Sequence, residues 1–256
     1  MSDWSSTQYM KFGSERTQPS IDLISRLSDA EPARVLDIGC GPGNSTFVLK
    51  ARFPHAEIIG VDSSENMLNR ARDTYPDMDF RQCTVPDGLD GLKGSFDLIF
   101  SNACIHWIPD QKKLLTAITD KLSEGGVLAV QIPLIQEAPF YKILFAMVKE
   151  EKWHRLSSIH NFHNLLPEEY YDLLFDLGLD FDIWQTTYYH TLDNADGVVQ
   201  WYSGSGLRPY LAALTDSEQT EFLQDLHSRI DSLYPIQHNG KCILKMPRLF
   251  FTAKKK

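Results

Sequence analysis

Apolar and polar positions follow two different periods through the first half of the chain. Short, almost continuous apolar runs predict buried strands at 34–38, 57–62, 78–82, 96–101 and 127–132. Amphipathic stretches between these runs predict helices at 44–52, 64–74 and 111–122. Strands of this character are covered on both faces, and their regular alternation with helices is typical of a doubly wound parallel sheet.

The pattern changes after Pro133, where helices predominate. Helical periodicity predicts helices at 137–151, 167–177, 195–202 and 217–234. Strand-like stretches are predicted at 181–190 and 241–253. Seven strands in this order predict an α/β, Rossmann-like, doubly wound and mostly parallel seven-stranded sheet with helical cap insertions. Ligands of open α/β sheets bind at the carboxyl edge, over which such caps commonly lie.

The composition and charge exclude several classes of protein. The 256 residues are 43% hydrophobic and 23% charged, which is ordinary for a globular protein with one sizeable domain. No apolar run reaches the roughly 18 residues of a membrane span, and no basic region followed by an apolar run opens the chain. We therefore expect no membrane partner and no secretory signal. The net charge of −9 argues against nucleic-acid binding.

The cysteines are widely spaced. None of them forms the CxxC pair that is typical of zinc sites. They are Cys40, Cys83, Cys104 and Cys242. Without a secretory signal, we expect reduced thiols, a cytoplasmic location and no bound metal.

Three glycines follow the first predicted strand, in the pattern Asp37-x-Gly39-x-Gly41-x-Gly43. A strand-to-helix turn needs backbone angles that glycine adopts cheaply, and missing side chains let a ligand approach the main chain. The GxGxxG spacing of dinucleotide sites fails, because position 44 is asparagine. A carboxylate at Asp37 favours a ligand with a cationic amine and repels a pyrophosphate.

A second carboxylate, Asp62, ends the second predicted strand in the run IIGVD. At the tip of a strand it can accept hydrogen bonds from both hydroxyls of a ribose. The alternative is a cap for the helix that begins near Ser63 and Ser64, and both roles are compatible. The two carboxylates and the glycine-rich turn together indicate a nucleoside with a cationic tail and no phosphate, which describes S-adenosylmethionine.

The stretches VLDIGCGPG, GVDSS and FDLIFSNACIHWIPD resemble the cofactor motifs of class I S-adenosylmethionine-dependent methyltransferases. The resemblance implies that Asp37 and the glycine-rich turn hold the methionine end and that Asp62 binds the ribose. It places Asn102 and Ala103 beside the methionine moiety, with His106 and Trp107 nearer the reaction centre. The cofactor-binding residues implied in this way are Asp37, Gly39, Cys40, Gly41, Gly43, Asp62, Ser63, Met67, Cys83, Thr84, Asn102 and Ala103.

The adenine contact departs from the family pattern. The family usually has an acidic residue after the third strand, whereas this chain reads FRQCTVPDG with Thr84 at the matching position. Main-chain groups of Cys83 and Thr84 are the expected replacement, and Asp87 is a weaker alternative.

The second half resembles the bacterial trans-aconitate methyltransferases. The resemblance lies in DIWQTTYYHTL, SGLRPYL, LYPIQHNGKCIL and PRLFF, and in the opening MSDWSSTQYMKFGSERTQPSIDLISRL. The family implies transfer of a methyl group from S-adenosylmethionine to one carboxylate of trans-aconitate, which leaves a monomethyl ester and S-adenosylhomocysteine. The implied organisation is an N-terminal lid segment and first helix at 1–32, a cofactor-binding core at 33–133, cap insertions at 134–180 and 193–240, and the last two strands at 181–192 and 241–256.

A trianionic acceptor needs concentrated cations and hydrogen-bond donors in a protein of net negative charge. Arg208 is expected in a Gly-Leu-Arg-Pro turn, and Arg248 inside an apolar strand. Arg16 follows an aromatic N-terminal segment. The expected substrate-binding residues are Arg208, Arg16, Tyr188, His190, Arg248, His106, Trp107 and Tyr9. An ionised carboxylate is already nucleophilic, so no general base is required and His106 is read as a contact residue.

Two alternatives follow from the same residues. One is a methyltransferase for another small acid, hydroxyl or amine acceptor, since cofactor motifs do not name the acceptor. The other is an S-adenosylmethionine-binding protein without catalysis. A dinucleotide oxidoreductase is disfavoured by the glycine spacing.

Overall fold

The structure, a computed structural model, describes residues 13–27, 30–159 and 162–256, without the side chains of 13–16. The strands are β1 Arg34–Ile38, β2 Glu57–Asp62, β3 Asp79–Gln82, β4 Phe96–Asn102, β5 Leu122–Pro133, β6 Asp180–Leu192 and β7 Cys242–Lys254. The helices of the described ranges are α1 Gly13–Ser25, α2 Asn44–Arg52, α3 Glu65–Thr74, α4 Gln111–Asp120, α5 Pro139–Met147, α6 Pro167–Asp176, α7 Ala195–Ser203, α8 Arg208–Ala212 and α9 Asp216–Ile230.

The strands form one seven-stranded sheet in the order β3-β2-β1-β4-β5-β7-β6. Strands β1 to β5 pair in parallel, and β7 pairs antiparallel with β5. The predicted Rossmann-like, mostly parallel, seven-stranded fold is confirmed. The chain order reverses between β1 and β4, which is the point where open α/β sheets bind ligands at the carboxyl edge.

Several predicted element limits were wrong. Strand β5 begins at Leu122 rather than at 127, because Leu122 pairs with Phe96. A register shift follows this pair, and the Gly125-Gly126 pair interrupts the apolar run, so the apolar pattern alone does not predict the earlier start. The helix predicted over 137–151 ends at Met147, and Glu151–Leu156 forms a separate 3₁₀ helix. Arg208 lies in the first turn of α8 instead of in a turn without helix.

The described residues form two compact units. Of the described residues, the larger unit comprises 13–27, 30–133, 162–186 and 248–256, and the smaller comprises 134–159 and 187–247. Strands β6 and β7 contribute residues to both units. Helix α6 falls in the larger unit, although the sequence analysis assigned its segment to a cap insertion.

One face of the sheet in the larger unit packs against α2 and α3. Asp37 of β1 accepts hydrogen bonds from hydroxyl groups of α2, and Phe80 of β3 packs against Leu68 of α3. Phe250 stacks on Trp184 at a centroid distance of 5.4 Å. The Arg26 guanidinium, which follows α1, lies 4.8 Å from the centre of the Trp184 ring.

The opposite face packs against α4 and α6. Tyr170 of α6 lies 5.6 Å from Phe251 between ring centroids, and its hydroxyl donates to Gln111 Oε1 of α4 at 2.9 Å. The Gln111 amide in turn donates to the carbonyls of Ile105 and Ile108. This buried relay fixes the short 3₁₀ helix Ile105–Trp107, which carries two of the predicted site residues.

An aromatic core holds the smaller unit together. Phe140 of α5 stacks on Tyr202 of α7 at 3.8 Å, and Trp153 packs edge-on against Phe222 of α9 at 5.0 Å. A Cβ atom at Gly206 would overlap the Tyr141 hydroxyl, so only glycine fits two residues before α8. The start of α8 is therefore set by a close backbone approach.

In the described part of the chain, no helix combines the length and the apolar character that crossing a membrane requires.

Candidate cofactor and acceptor site

The glycine-rich turn after β1 adopts left-handed backbone angles at each glycine, with φ of 73° at Gly39, 53° at Gly41 and 93° at Gly43. Packing against the protein itself also requires two of them. A Cβ at Gly39 would overlap the Cys104 side chain, and one at Gly43 would lie 2.8 Å from the Tyr75 ring. A Cβ at Gly41 would meet no atom of the described residues within 4 Å, so among these residues the glycine borders open space where a ligand can approach the backbone.

Asp37 lies fully buried beneath this turn. Its Oδ2 accepts from Ser45 at 2.7 Å and from Thr46 at 2.6 Å, while Oδ1 has no hydrogen-bond partner among the described residues. Burial raises the pKa of Asp37 to about 6, against the two hydroxyl hydrogen bonds, which lower it, and the Asp62 charge raises it further. A buried carboxylate oxygen without a donor fits a cationic ligand group.

Asp62 ties the turn to the next helix. Its Oδ2 accepts from the Gly41 N–H at 3.0 Å, and its Oδ1 accepts from the Ser64 N–H at 2.9 Å. Ser64 itself caps α3 by accepting from the Met67 N–H. Each carboxylate oxygen has two lone pairs, so the two backbone bonds do not by themselves exclude ribose hydroxyls as further donors to Asp62.

The remaining predicted cofactor residues near β2 differ in exposure. The Ser63 side chain is exposed, and its carbonyl accepts from Gln82. Met67 is buried. The Cys40 side chain packs into a small core with Leu68 and leaves its main chain to the turn. Burial raises the pKa of the Cys40 thiol well above its ordinary value, so this thiol is uncharged.

The structure narrows the possible adenine contact at the end of β3. The Cys83 N–H donates to the Asp62 carbonyl at 3.0 Å, and the Thr84 carbonyl accepts from the Gly88 N–H at 2.7 Å. The exposed Thr84 therefore keeps its N–H and hydroxyl for a ligand. Asp87 is exposed and pairs with Lys113 at 2.7 Å.

Asn102 and Ala103 lie at the carboxyl end of β4, next to β1 in the sheet. Ala103 has a left-handed φ of 54°, which is unusual outside glycine, and its N–H donates to the Gln131 carbonyl of β5 at 2.9 Å. Asn102 Oδ1 is shielded from solvent and has no hydrogen-bond partner among the described residues. Both residues are half-buried.

His106 is a neutral imidazole in an aromatic setting. Its ring lies 4.9 Å from Trp107 and 6.0 Å from Phe162 between centroids. Burial lowers the pKa of His106 to about 3, and the cationic Arg248 contributes to this shift. Nδ1 has no hydrogen-bond partner in the described ranges. With that pKa, His106 is a weak base at neutral pH and suits a contact role.

Arg248 is 93% buried, at 7% relative exposure, where β7 pairs with the end of β5. Pro133 lies opposite Arg248 in the antiparallel register. A buried guanidinium at the carboxyl edge of a sheet provides a planar fork for a carboxylate.

The smaller unit holds three further predicted substrate residues. Arg208 is half-buried, and its N–H donates to the Ser205 carbonyl at 3.1 Å. Tyr188 and His190 project to the same side of β6, since their rings are nearly parallel with centroids 6.3 Å apart. His190 also stacks on Trp201 at 4.7 Å, whereas Tyr189 is 65% exposed. Tyr9 and the Arg16 side chain lie outside the described residues.

Three polar residues of this region were not predicted from the sequence. Ser45 and Thr46 hold the Asp37 carboxylate, and their signal is a pair of hydroxyl residues in the first turn of the helix after the glycines. Gln131 is fully buried within β5. Its signal is a single amide in the apolar run VLAVQI.

These features fit S-adenosylmethionine. The backbone at Gly41 is open to a ligand, and the buried Asp37 Oδ1 has no hydrogen-bond donor among the described residues. The Asp62 carboxylate, which accepts from the Gly41 N–H, has two lone pairs on each oxygen. In the described part of the chain, no group of three or more His, Cys, Asp or Glu side chains is placed to hold a metal.

A family described as a methyltransferase domain matches residues 35–126. Trans-aconitate 2-methyltransferase of Rhodopseudomonas palustris is 40% identical over 261 residues, which cover 99% of this chain and 99% of that protein. The crystal structure of the YcgJ protein from Bacillus subtilis has a TM-score of 0.59 at 18% identity, covering 93% of this chain and 99% of that one. Phosphoethanolamine N-methyltransferase 2 of Haemonchus contortus, in complex with S-adenosyl-L-methionine, has a TM-score of 0.56 at 17% identity, covering 93% of this chain and 52% of that one.

The matched domain and the fold define a class I S-adenosylmethionine-dependent methyltransferase, as the sequence predicts. Within that class, the chain belongs to the trans-aconitate 2-methyltransferase family, as its full-length identity with a member demonstrates. The assigned roles of individual residues stay predictions, and two of them lead to direct tests.

Asp62→Asn tests the ribose contact. The amide nitrogen cannot accept hydrogen bonds, so the variant loses the negative charge and one acceptor atom. Loss of a charged hydrogen bond costs about 1.5–3 kcal/mol of binding free energy. We expect S-adenosylhomocysteine affinity, measured by titration calorimetry, to fall at least tenfold. Asp77→Asn, at an exposed position before β3, is the control and should match the parent. Equal affinity in a folded Asp62→Asn protein would leave Asp62 with its backbone bonds alone.

The pKa of Asp37 near 6 predicts a pH dependence of cofactor binding. A cationic amine favours the ionised carboxylate, so affinity should be constant above about pH 7. It should fall towards a tenfold loss per pH unit below pH 6. The raised pKa of Asp37 has the opposite effect on folding stability. The unliganded protein loses stability as the pH rises from about 4 to 6.

Calorimetry and thermal unfolding between pH 5 and 8, on the parent and Asp37→Asn, separate the two effects. Asp37→Asn should flatten the pH profile of binding and bind more weakly at neutral pH. A parent profile that is flat from pH 5 to 8 would contradict the contact between Asp37 and the amine.

Proposed function

We propose that this protein transfers the methyl group of S-adenosylmethionine to one carboxylate of trans-aconitate and forms a monomethyl ester. The observation that carries the proposal is 40% identity to a trans-aconitate 2-methyltransferase over 99% of both chains. The identity extends over nearly the whole chain, well beyond the methyltransferase domain matched at 35–126, so it supports more than a shared cofactor.

The charges around the site support an anionic acceptor. The chain carries a net charge of −9, and Asp37 and Asp62 add local negative charge. Arg248 is a buried cation in this surrounding, and the neutral His106 adds none at physiological pH. A buried guanidinium suits a carboxylate acceptor better than an uncharged one, because its planar donors match the two carboxylate oxygens.

When bound, S-adenosylmethionine supplies a methyl group activated by its sulfonium. The residues of the chain then have to orient a carboxylate that is ionised already, with no proton to remove. In this proposal Arg248 and Arg208 bind the carboxylates, and His106 and Trp107 form an apolar wall that excludes water. Tyr188 and His190 add hydrogen bonds. Orientation of this kind can contribute about 7–11 kcal/mol.

A panel assay tests the function directly. The protein is incubated with methyl-labelled S-adenosylmethionine and trans-aconitate, cis-aconitate, citrate, a monocarboxylate and neutral amine and alcohol acceptors. We expect strong labelling of trans-aconitate and none of the neutral acceptors. A protein that labels a neutral acceptor and ignores every acid would contradict the proposal and remain a methyltransferase of its class.

Arg208 offers a sharper test of acceptor recognition. Arg208→Lys keeps the charge and loses the planar fork, so we expect a clear loss of kcat/KM for trans-aconitate. Arg208→Ala should lose more, about 2–5 kcal/mol if the charge pair is desolvated. S-adenosylhomocysteine affinity should stay near the parent value in both.

Arg155→Ala is the matched control, since Arg155 lies in the same unit and makes an exposed pair with Glu218 at 2.6 Å. Its kcat/KM should equal that of the parent. Parent-like kinetics in Arg208→Ala would remove Arg208 from the acceptor site. The cytoplasmic location and the lack of a nucleic-acid partner stay predictions.

A further inference from the structure

Gln131 is a polar side chain in an apolar part of the sheet. Its neighbours in β5 are Val130 and Ile132, and all three residues are fully buried. Strand β5 lies between β4 and β7, so both of its edges are paired. Burying an amide without hydrogen bonds costs free energy, and buried polar groups in folded proteins nearly always have a partner. A glutamine in this position therefore needs an explanation.

The side-chain amide of Gln131 has no hydrogen-bond partner among the described residues. Oε1 and Nε2 are both shielded from solvent, and neither makes a hydrogen bond with any described residue. The main chain of Gln131 is already used, because its carbonyl accepts from the Ala103 N–H at 2.9 Å. The side chain is therefore not needed to join β4 and β5.

The register places Gln131 among other polar groups. Gln131 lies opposite Asn102 in the parallel pairing and opposite Phe250 in the antiparallel pairing. Arg248 lies two residues from Phe250, and residues two apart on a strand share a face. Asn102, Gln131 and Arg248 therefore lie on one face, at the carboxyl ends of β4 and β5. Asn102 Oδ1 also lacks a partner among the described residues.

The order of the strands indicates which ligand Gln131 meets. Asp62 ends β2, the glycine-rich turn follows β1, Asn102 ends β4, and Gln131 and Arg248 come next on β5 and β7. Two strand spacings of about 4.8 Å put Gln131 about 10 Å from β1. A nucleoside at β2 and β1 with its methionine end towards β4 leaves β5 and β7 to the group that receives the methyl.

We propose that Gln131 is an acceptor-binding residue whose Nε2 donates a hydrogen bond to a carboxylate of the methyl acceptor, with Arg248 supplying the charge. The inference rests on the proposed function, since it presumes a carboxylate acceptor. In this arrangement the amide fixes the plane of a carboxylate that the guanidinium attracts.

Gln131→Leu and Gln131→Glu test the proposal. Trans-aconitate binding to the protein loaded with S-adenosylhomocysteine is measured by titration calorimetry, and methyl transfer by steady-state kinetics. We expect Gln131→Leu to lose at least tenfold in both trans-aconitate affinity and kcat/KM, with S-adenosylhomocysteine affinity within twofold of the parent. Gln131→Glu should lose more, because a second buried carboxylate repels the acceptor.

Thr119→Val is the matched control. Thr119 Oγ1 is another buried atom without a partner among the described residues, but it belongs to α4. We expect Thr119→Val to keep parent kinetics, and neither this variant nor Gln131→Leu to unfold at a lower temperature than the parent. Gln131→Met has nearly the shape of glutamine and replaces Gln131→Leu if that variant does not fold.

Three results would overturn the proposal. Unchanged trans-aconitate affinity and kcat/KM in Gln131→Leu, beside an active parent, would show that Gln131 does not bind the acceptor. A matching loss of S-adenosylhomocysteine affinity would assign Gln131 to the cofactor. A parent that neither binds nor methylates trans-aconitate would contradict the proposed function itself, and the role of Gln131 with it.

Discussion

The Asp62 carboxylate connects the parts of the cofactor site. One oxygen accepts from the Gly41 N–H in the turn after β1, and the other accepts from the Ser64 N–H at the start of α3. The first bond holds a turn whose three glycines all have positive φ, and the second helps to fix where α3 begins. A single side chain therefore sets the spacing between the two loops that face the nucleoside end of the site. The predicted contact of Asp62 with ribose hydroxyls would explain why this position carries a carboxylate and not merely a helix cap.

Several buried polar groups lie at the carboxyl edge of the sheet, where they lower the stability of the unliganded fold. Asp37, Asn102, His106 and Gln131 each carry an atom that is shielded from solvent and has no partner among the described residues. In a finished hydrophobic core such atoms would be a defect, since each costs free energy that packing has to offset. Asp37, Asn102 and Gln131 lie near the carboxyl ends of β1, β4 and β5, and His106 follows β4, where a ligand of an open α/β sheet would supply the missing hydrogen bonds.

The distribution of charge separates the two ligands. Carboxylates lie under the turn after β1 and at the end of β2, where a cationic amine and ribose hydroxyls are expected. The buried Arg248 lies on β7, beyond β4 and β5, and the neutral His106 follows β4. Opposite charges on different strands of one sheet favour one orientation of a cationic cofactor and an anionic acceptor.

The sequence by itself determined the class of fold, the order of the elements and the position of the cofactor turn. These depend on local patterns, namely apolar runs, helical periodicity and glycines at fixed spacing, which act over a few residues. The same holds for the pairing of Tyr188 with His190, since alternation along a strand fixes which side chains share a face. Motifs in the second half of the chain also indicated the similarity to trans-aconitate methyltransferases.

Only the tertiary structure decided the properties that depend on neighbours distant in sequence. It revealed that Gly39 and Gly43 are required by packing, whereas Gly41 alone of the three borders open space. It started β5 at Leu122, because a register shift against β4 is invisible to local periodicity. Burial, which no single segment determines, raised the pKa of Asp37 and lowered that of His106. It also turned Gln131 from an ordinary strand residue into a candidate acceptor contact, because only strand pairing brings Asn102 and Arg248 to the same face.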